Sequence, residues 1–477
     1  MTLLDRASLL LDRNLTLGSI LERLARVHGG DRTLAEEPDG TRWTYRTAAE
    51  AADRWAGAIA AHGIERGDRV VIATPNSYAM FVLCVAVARA GGIAVPVNAQ
   101  MTHVEVEHVI ADAGATLVVR DPRQELDGAQ PLGEAAPAPA LAAATATADD
   151  VAAVFYTSGT TGTPKGVRLT HKALLGQART AAAWPSRLHR DEAVAGLPIA
   201  HIMGFAVVLG LAVAGIPVYN LPRFRPDDAL DAIEQRRATI FVGVPAMYRL
   251  LLEAGAEDRD LRSIRVWGSG ADVMPRDLAQ RFRKMGAAAT LPLAGASVGR
   301  AAFVEGYGMV EVGGAVAAKV TAPWIPEALV PLPGYRFRVD GDELLVRGHA
   351  QRDWLPTGDL VRRGPFGMVR FAGRAKDVIK SGGYSVYALE VQTALERHDA
   401  VAEAAVVGVP DARMGEKVVA AVQLLPGAAA SADELRAWCE ERLAAYKVPS
   451  EVRILEDLPR TGSDKVRKGG VRDLFAG

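Results

Sequence analysis

Phe155-Tyr-Thr-Ser-Gly-Thr-Thr-Gly-Thr-Pro-Lys-Gly-Val167 is the stretch on which the reading of this chain turns. Three glycines and five Ser/Thr hydroxyls surround one lysine, directly after the apolar run Val151–Phe155. Glycine lets backbone N–H groups approach a ligand and point inward, hydroxyls donate hydrogen bonds, and Lys165 adds a point charge. The loop suits a polyphosphate, gripped by Thr157, Ser158, Gly159, Thr160, Thr161, Gly162 and Lys165. It is not a Walker A loop, which needs Gly directly before the lysine and Ser/Thr after it. Pro164 and Gly166 hold those places here. A plain Gly/Thr-rich surface turn has no need of so many hydroxyls beside a lysine.

Working outward, the loop sits in a strand–helix alternation. Arg69–Ala73, Ile93–Val97, Thr116–Arg120, Val151–Tyr156, Pro217–Leu221, Thr239–Val244 and Ile264–Trp267 read as short strands, and Tyr78–Arg89 has helical length. Alternation of this kind predicts parallel sheet with helices packed on it, and ligands at the carboxyl ends of the strands. The Ala/Pro-rich segment between Asp121 and Asp150 reads as a surface connector. Composition changes near Phe371, and about 100 residues follow with a complete small α+β pattern. There Ser431 and Glu434 form a capping box, and Leu435, Trp438, Cys439, Leu443 and Tyr446 recur at helical spacing as a core stripe. The expected fold class is α/β: a large N-terminal domain of βα-layered sheets (1–372) and a small mobile α+β C-terminal domain (373–477).

The 477 residues suffice for two domains with a large core. A formal net charge of −1 gives no global pull toward nucleic acid or anionic membrane, and no basic stripe alternates with aromatics. Cys84 and Cys439 both lie in apolar helical patterns. They are expected to be buried and reduced, which fits a cytoplasmic setting without a disulfide framework. The N-terminal apolar run is broken by charges, and Arg89 interrupts the apolar stretch from Phe81. Neither a signal peptide nor a transmembrane helix is expected.

Further chemistry-bearing stretches follow. Gly268-Ser-Gly-Ala-Asp272 closes a strand with a Gly-rich turn, Glu305-Gly-Tyr-Gly-Met-Val-Glu311 ends in a carboxylate, and Trp354-Leu-Pro-Thr-Gly-Asp359 holds another. Gly373-Arg-Ala-Lys-Asp-Val-Ile-Lys-Ser-Gly-Gly-Tyr-Ser-Val-Tyr-Ala-Leu-Glu390 is basic and glycine-containing, and Pro459-Arg-Thr-Gly-Ser-Asp-Lys465 closes the series. Each alone has a bland reading: a turn, a solvated carboxylate, an Asx turn, a linker, a surface lysine.

Together, and in this order from about Thr44 to about Lys468, they resemble the adenylate-forming superfamily. That superfamily includes acyl-CoA synthetases, firefly luciferase and peptide synthetase adenylation domains, and the chain is most like a bacterial fatty acyl-CoA synthetase. The resemblance implies that the Thr157–Lys165 loop grips pyrophosphate, with Thr157 counted among the catalytic residues. Gly270 and Ala271 would back the adenine, and Tyr307, followed by Gly308, would stack on it. Glu311 would hold Mg²⁺, a hard cation that seeks carboxylate and phosphate oxygens. Asp359 would accept from both ribose hydroxyls, and Arg374 would reach the ribose. Lys376 would be the hinge between two half-reactions. Gly382 and Gly383 would approach the pantetheine of CoA. Lys465 would bridge the substrate carboxylate and the α-phosphate as charge shifts in the transition state. His201, Val242 and Gly243 would line the acyl pocket. A structural histidine is the competing reading of His201, and a tightly packed core that of the pocket wall.

The implied activity is ATP-dependent ligation of a carboxylic acid, a fatty acid first among them, to CoA through an acyl-AMP, with release of pyrophosphate and then AMP. ATP, Mg²⁺ and CoA are the implied cofactors and co-substrates. Alternatives are transfer to a carrier protein or another nucleophile, and a nucleotide-binding homologue with impaired catalysis. A homo-oligomer stays open. The sequence departs from the family pattern at Val310, where Thr is usual, at Asp464, where Gly is usual, and in a shortened region at 347–356.

Overall fold

The computed structural model describes residues 8–10, 12, 14–120, 146–158, 164–184, 190–290, 297–321, 328–349, 351, 353–364, 367–460 and 466–475. Most of the Ala/Pro-rich connector, the tip of the Thr157–Lys165 loop and Lys465 itself lie outside the described residues. The chain forms two compact units, one of residues 1–327, 331–336 and 348–352, the other of 328–330, 337–347 and 353–477. The division expected after residue 372 concerns a pivot, which packing does not test.

In the larger unit one sheet runs, in spatial order, Leu117–Arg120, Arg69–Ala73, Ile93–Pro96, Val151–Ser158 and Pro164–Thr170. All its pairings are parallel except the last, which is antiparallel. The second sheet contains the run Gly314–Thr321, Ala302–Met309, Val266–Gly270, Ile240–Gly243, Ala193–Ala195, Val218–Asn220, Thr33–Glu36 and Arg42–Thr44. An antiparallel strand closes this run at each end, and every pairing between is parallel. Parallel strands with helices on both faces are buried on both sides, which is why they read as short continuous apolar runs rather than alternating ones.

Helices pack around these sheets, and the buried apolar side chains form one large cluster and two smaller ones among the described residues. Every residue of Tyr78–Arg89 except Ala79 is buried, and it includes Cys84. Arg89, the residue that breaks its apolar run, is itself buried and ion-paired with Asp53. A buried guanidinium cannot shed its proton and needs such a partner. Phe205, on the helix Ile202–Ala214, lies 5.3 Å from both Phe81 and Phe155. The helix that begins just after His201 is therefore packed on the strand that leads into the phosphate-type loop.

The smaller unit holds an antiparallel ladder of Glu343–Arg347, Leu355–Arg363 and Val369–Arg374. Its second sheet runs Tyr384–Tyr387, Val378–Ser381, Gly415–Leu424 and Val401–Asp411, with Glu451–Leu455 parallel to Gly415–Leu424. One face is covered by Ala388–Leu395 and Ala432–Glu440, including buried Cys439, and the other by Lys468–Phe475. This is the α+β layering expected from the sequence. The Ser431–Glu434 capping box is formed.

Two expectations change. The Gly268-Ser-Gly segment is not a turn but the end of the strand Val266–Gly270. The glycines there admit close strand neighbours: a Cβ on Gly268 would come 3.1 Å from Val242. The stripe from Leu435 also ends early. Its helix stops at Glu440 and, with Pro449 downstream unable to continue a helix, the chain turns through Ala445–Lys447. Leu443 still packs on the core, but Tyr446 is 37% exposed and stacks on Tyr384 at 4.3 Å.

Candidate active site

In the larger unit the sequence-predicted residues gather at the carboxyl ends of parallel strands. Thr157 and Ser158 end one strand, Lys165 lies in the next, and the antiparallel register sets Thr157 opposite Lys165 and Ser158 opposite Pro164. Gly159, Thr160, Thr161 and Gly162 fall outside the described residues. Lys165 is exposed. Its strand packs against the short 3₁₀ turn Val310–Val312, which carries Glu311. The hairpin and the turn that carries the exposed Glu311 are thereby brought together.

That turn is fixed from beneath. Gln177, buried on the helix His171–Ala178, donates from Nε2 to the Gly313 carbonyl at 2.6 Å. Gly313 and Gly314 take φ of +82° and +130°, where glycine is favoured. A Cβ on Gly314 would meet Gln177 Nε2 at 2.1 Å, and one on Gly313 the Ala173 carbonyl at 2.7 Å. Val310, at the position where the resembled pattern has Thr, packs its apolar side chain against the large core. The Gln351 side chain also donates to the Glu311 carbonyl at 3.3 Å.

The adenine-type cradle is built from two adjacent parallel strands. The register pairs Gly268 with Val304, Ser269 with Glu305 and Gly270 with Gly306, so that Gly270 lies just before Tyr307. A Cβ on Gly270 would stand 3.2 Å from the Gly306 carbonyl and 3.3 Å from Met203 Cε. Ala271, immediately beyond, adopts φ +66° although it is not glycine. The Ser269 hydroxyl is buried without a hydrogen-bond partner among the described residues. Side chains alternate along a strand, so this hydroxyl lies on the face opposite the side-chain-free floor at Gly268 and Gly270. Across the next strand pair the ladder slips one residue between Tyr307 and Gly308. Gly308 admits the Gly314 backbone so closely that a Cβ would lie 2.0 Å from its carbonyl oxygen.

Val242 and Gly243 end the neighbouring strand, opposite Gly268 and Ser269. Tyr248, on the helix Pro245–Glu253, is fully buried and donates its hydroxyl to the Gly268 carbonyl at 2.7 Å. Burial, with the Glu305 charge nearby, raises its pKa well above the ordinary phenol value, so the donor stays protonated. His201 is half-buried and stands at the N-cap position of the helix Ile202–Ala214, without a capping hydrogen bond from its side chain. Two residues on, Met203 reaches Gly270, so the first turn of this helix meets the end of the Val266–Gly270 strand. Asn76 holds the approach to His201, accepting from the Ile199 N–H at 2.8 Å and donating to the Pro222 carbonyl at 3.0 Å.

In the smaller unit Asp359 and Arg374 pair directly across an antiparallel ladder. Asp359 is 1% exposed, Arg374 is half exposed, and Nε lies 3.0 Å from Oδ1. Two residues singled out separately for ribose contact are thus neighbours. Gly358 takes φ +69° and its N–H is held by Glu343 at 2.8 Å. Lys376 is exposed on the 3₁₀ turn Ala375–Asp377. Gly382 and Gly383 form the two-residue turn of a hairpin in which Ser381 faces Tyr384, with φ of +58° and +84°. A type I′ turn requires both positive angles, so the turn alone accounts for both glycines. Lys465 and Asp464 lie outside the described residues. The flanking residues are clasped: Arg460 bridges to Val466, and Lys468 Nζ pairs with Asp377 at 2.6 Å.

Gln177 and Asn76 escaped the sequence reading. Asn76 carried a weak signal, in Thr74-Pro-Asn just after a parallel strand. Gln177 carried none, because a glutamine in a mostly apolar helix has no local mark of the carbonyl it will meet.

A family model described as AMP-binding enzyme matches residues 21–370, and one described as AMP-binding enzyme C-terminal domain matches 390–465. A feruloyl-CoA synthase of Amycolatopsis sp is 32% identical over 97% of this chain and 100% of its own length. A long-chain-fatty-acid–CoA ligase of Mycobacterium tuberculosis is 28% identical over 96% of this chain and 98% of its own. Among solved structures, ATP-bound MatB from Rhodopseudomonas palustris matches with a TM-score of 0.84 at 29% identity, covering 97% of this chain and 99% of that one. Among the described residues no helix is long and apolar enough to cross a membrane.

Proposed function

The chain belongs to the AMP-binding enzyme family, the adenylate-forming superfamily of its motifs, and from that premise we propose that it activates an apolar carboxylic acid as an acyl-AMP and passes the acyl group to CoA. It is an AMP-forming acyl-CoA synthetase by family. ATP and CoA are its co-substrates. A fatty acid is the first candidate acid and an arylpropenoate the second, since relatives named for each resemble this chain along nearly its whole length.

The observation that carries this reading is the packing of the Pro164–Thr170 strand on the Val310–Val312 turn. This brings the phosphate-type hairpin next to the turn that carries Glu311, so that a phosphate grip and a hard oxygen ligand for a phosphate-bound cation can act together. The substrate carboxylate attacks the α-phosphorus, the P–O bond to the β-phosphate breaks, and pyrophosphate leaves toward Thr157–Lys165. No protein nucleophile is needed, so the protein's work is positioning and charge stabilisation. Lys465, protonated at neutral pH, offsets the charge on the attacking carboxylate and the α-phosphate. Gly270, Ala271 and Tyr307 seat the adenine, and Asp359 with Arg374 the ribose. In the second step the CoA thiolate attacks the acyl carbonyl and AMP departs, with Lys376 as the pivot and Gly382–Gly383 facing the thiol arm.

The chain's donor set fits Mg²⁺ in one respect: Glu311 offers an exposed hard oxygen ligand beside the phosphate hairpin. Among the described residues no cluster of three or more His, Cys, Asp or Glu could hold a metal alone. Glu311 would therefore share the ion with phosphate oxygens and water, and the chemistry supplied is neutralisation of phosphate charge.

Pyrophosphate and AMP release, measured over a panel of fatty and aryl acids with and without CoA, tests the proposal. CoA-dependent thioester formation is expected. Acyl-AMP without transfer to CoA would point to a carrier protein, and ATP binding without turnover on any acid would overturn the activity. Lys465→Ala should abolish adenylation while sparing thioester formation from preformed acyl-AMP. Equal loss in both steps refutes the role given to Lys465.

A further inference from the structure

The parallel strands of the second sheet have an amino-terminal edge as well, and it is furnished. Where Arg265 leads into Val266–Gly270 and Ala301 into Ala302–Met309, there is a cavity of about 420 Å³. Tyr307 lies further along the same strand as Ala302, about 17 Å away at the usual strand rise. The cavity is therefore separate from the loops at the carboxyl ends.

Its walls are largely apolar, with Trp184, Val266, Ala302 and Val320, and three arginines reach it, Arg265, Arg283 and Arg300. Arg265 is neutralised by Asp191. The same carboxylate accepts from Trp184 Nε1 and Thr239 Oγ1, each at 2.8 Å. Arg283 is differently placed. It sits in the last turn of Arg276–Met285 and is only 8% exposed, and its Nε donates to the Ala301 carbonyl at 3.1 Å. No carboxylate among the described residues pairs with it or with Arg300. Both line the one cavity, and burial, with the Arg300 charge, lowers the Arg283 pKa. Guanidinium groups remain charged in proteins. Two of them lining one largely apolar cavity are stabilised by an anion that brings its own apolar surface.

We propose that this cavity binds an organic carboxylate with an apolar body, the carboxylate on Arg283 and Arg300 and the body against Trp184 and Val320. The planar guanidinium fork matches two carboxylate oxygens, and the walls remove apolar area from water. A small hydrophilic anion would gain only the first of these. The site takes the same class of molecule as the proposed substrate, at the opposite end of the sheet, and does not depend on the catalytic reading.

Fluorine NMR of the full-length protein labelled with 5-fluorotryptophan tests it. The chain has seven tryptophans, and Trp184→Phe assigns the resonance of interest. Titration with sodium benzoate should shift the Trp184 resonance saturably, and benzamide, which has the same body without the charge, should not. Arg283→Met should weaken the benzoate effect at least tenfold. If that variant fails to fold, Arg300→Gln, which changes an exposed side chain, should still weaken it severalfold. No shift at Trp184, an equal shift with benzamide, or an unchanged titration in the folded variants would overturn the proposal.

Discussion

His171 gives the sharpest quantitative prediction. It opens the helix His171–Ala178, is 2% exposed, and its Nδ1 accepts the Leu17 N–H at 2.9 Å. A nitrogen that accepts in this way carries no proton. Burial lowers the pKa from its ordinary 6.5 to about 4, with Asp150 pulling the other way. The folded value lies below the unfolded one, so on acidification the unfolded chain takes up a proton that the native state refuses. This contribution leaves stability intact above pH 6.5 and erodes it as pH falls toward 4. Between pH 7.5 and pH 5 the loss from this one group is about 2 kcal/mol, roughly thirtyfold in the folding equilibrium. Urea unfolding followed by tryptophan fluorescence at both pH values measures it, with His171→Asn as reference. Asn keeps an acceptor near the place of Nδ1 and does not titrate. Other groups titrate equally in both proteins, so the difference between their pH-dependent losses isolates His171. If wild type and variant lose the same stability over the interval, the buried neutral histidine is refuted.

Three further outcomes are expected. Gln177→Met should cost about 1–3 kcal/mol by orphaning the buried Gly313 carbonyl and should raise the KM for ATP as the Glu311 turn loosens; urea midpoints and pyrophosphate-release kinetics read the two effects, and an unchanged KM would separate Gln177 from the site. Asp359→Ala should raise the KM for ATP by roughly a hundredfold, from two lost hydrogen bonds to a charged acceptor. Melting temperature should move little, because the Arg374 left behind is half exposed and can be hydrated; loss of folding instead of ATP affinity would contradict that assignment. Val310→Thr should raise the adenylation rate severalfold at a stability cost of about 1–2 kcal/mol, since Val310 packs on the core and a hydroxyl there must be desolvated. A slower reaction measured by pyrophosphate release would show that the apolar contact matters more than a restored donor.

Much of this was legible in the chain because the relevant physics is local. Tyr78–Arg89 is apolar on nearly all sides, and Ser431 and Glu434 sit at capping-box spacing, so the first helix and the start of the second appear where the pattern puts them. Strand ends carried the chemistry because glycines and hydroxyls cluster there. What the sequence obscured depends on partners distant along the chain. Gln177 meets a carbonyl 136 residues away, and Tyr248 supports Gly268 from a helix that reads as pocket wall. The glycines at 382 and 383 suit the close approach of a ligand, and the hairpin turn, which depends on pairing across two strands, demands them as well. The helix after Ser431 looked longer than it is, because Leu443 and Tyr446 keep the spacing after the backbone has left the helix.

The floor at Gly270 bears on how the enzyme could be made to report on itself. That residue has no side chain left to trim, and the Gly306 backbone closes one side of it. The other side is bounded by Met203, whose Cε and Sδ stand 3.3 and 3.6 Å from where a Cβ would be. Methionine can be shortened without disturbing a ladder. With adenine over Gly270 as proposed, Met203→Ala opens space for an alkyl group on the base that wild-type side chains refuse. A ligase with such a private nucleotide would mark its own acyl-adenylates in a mixture of related enzymes, and so name its acid without purification.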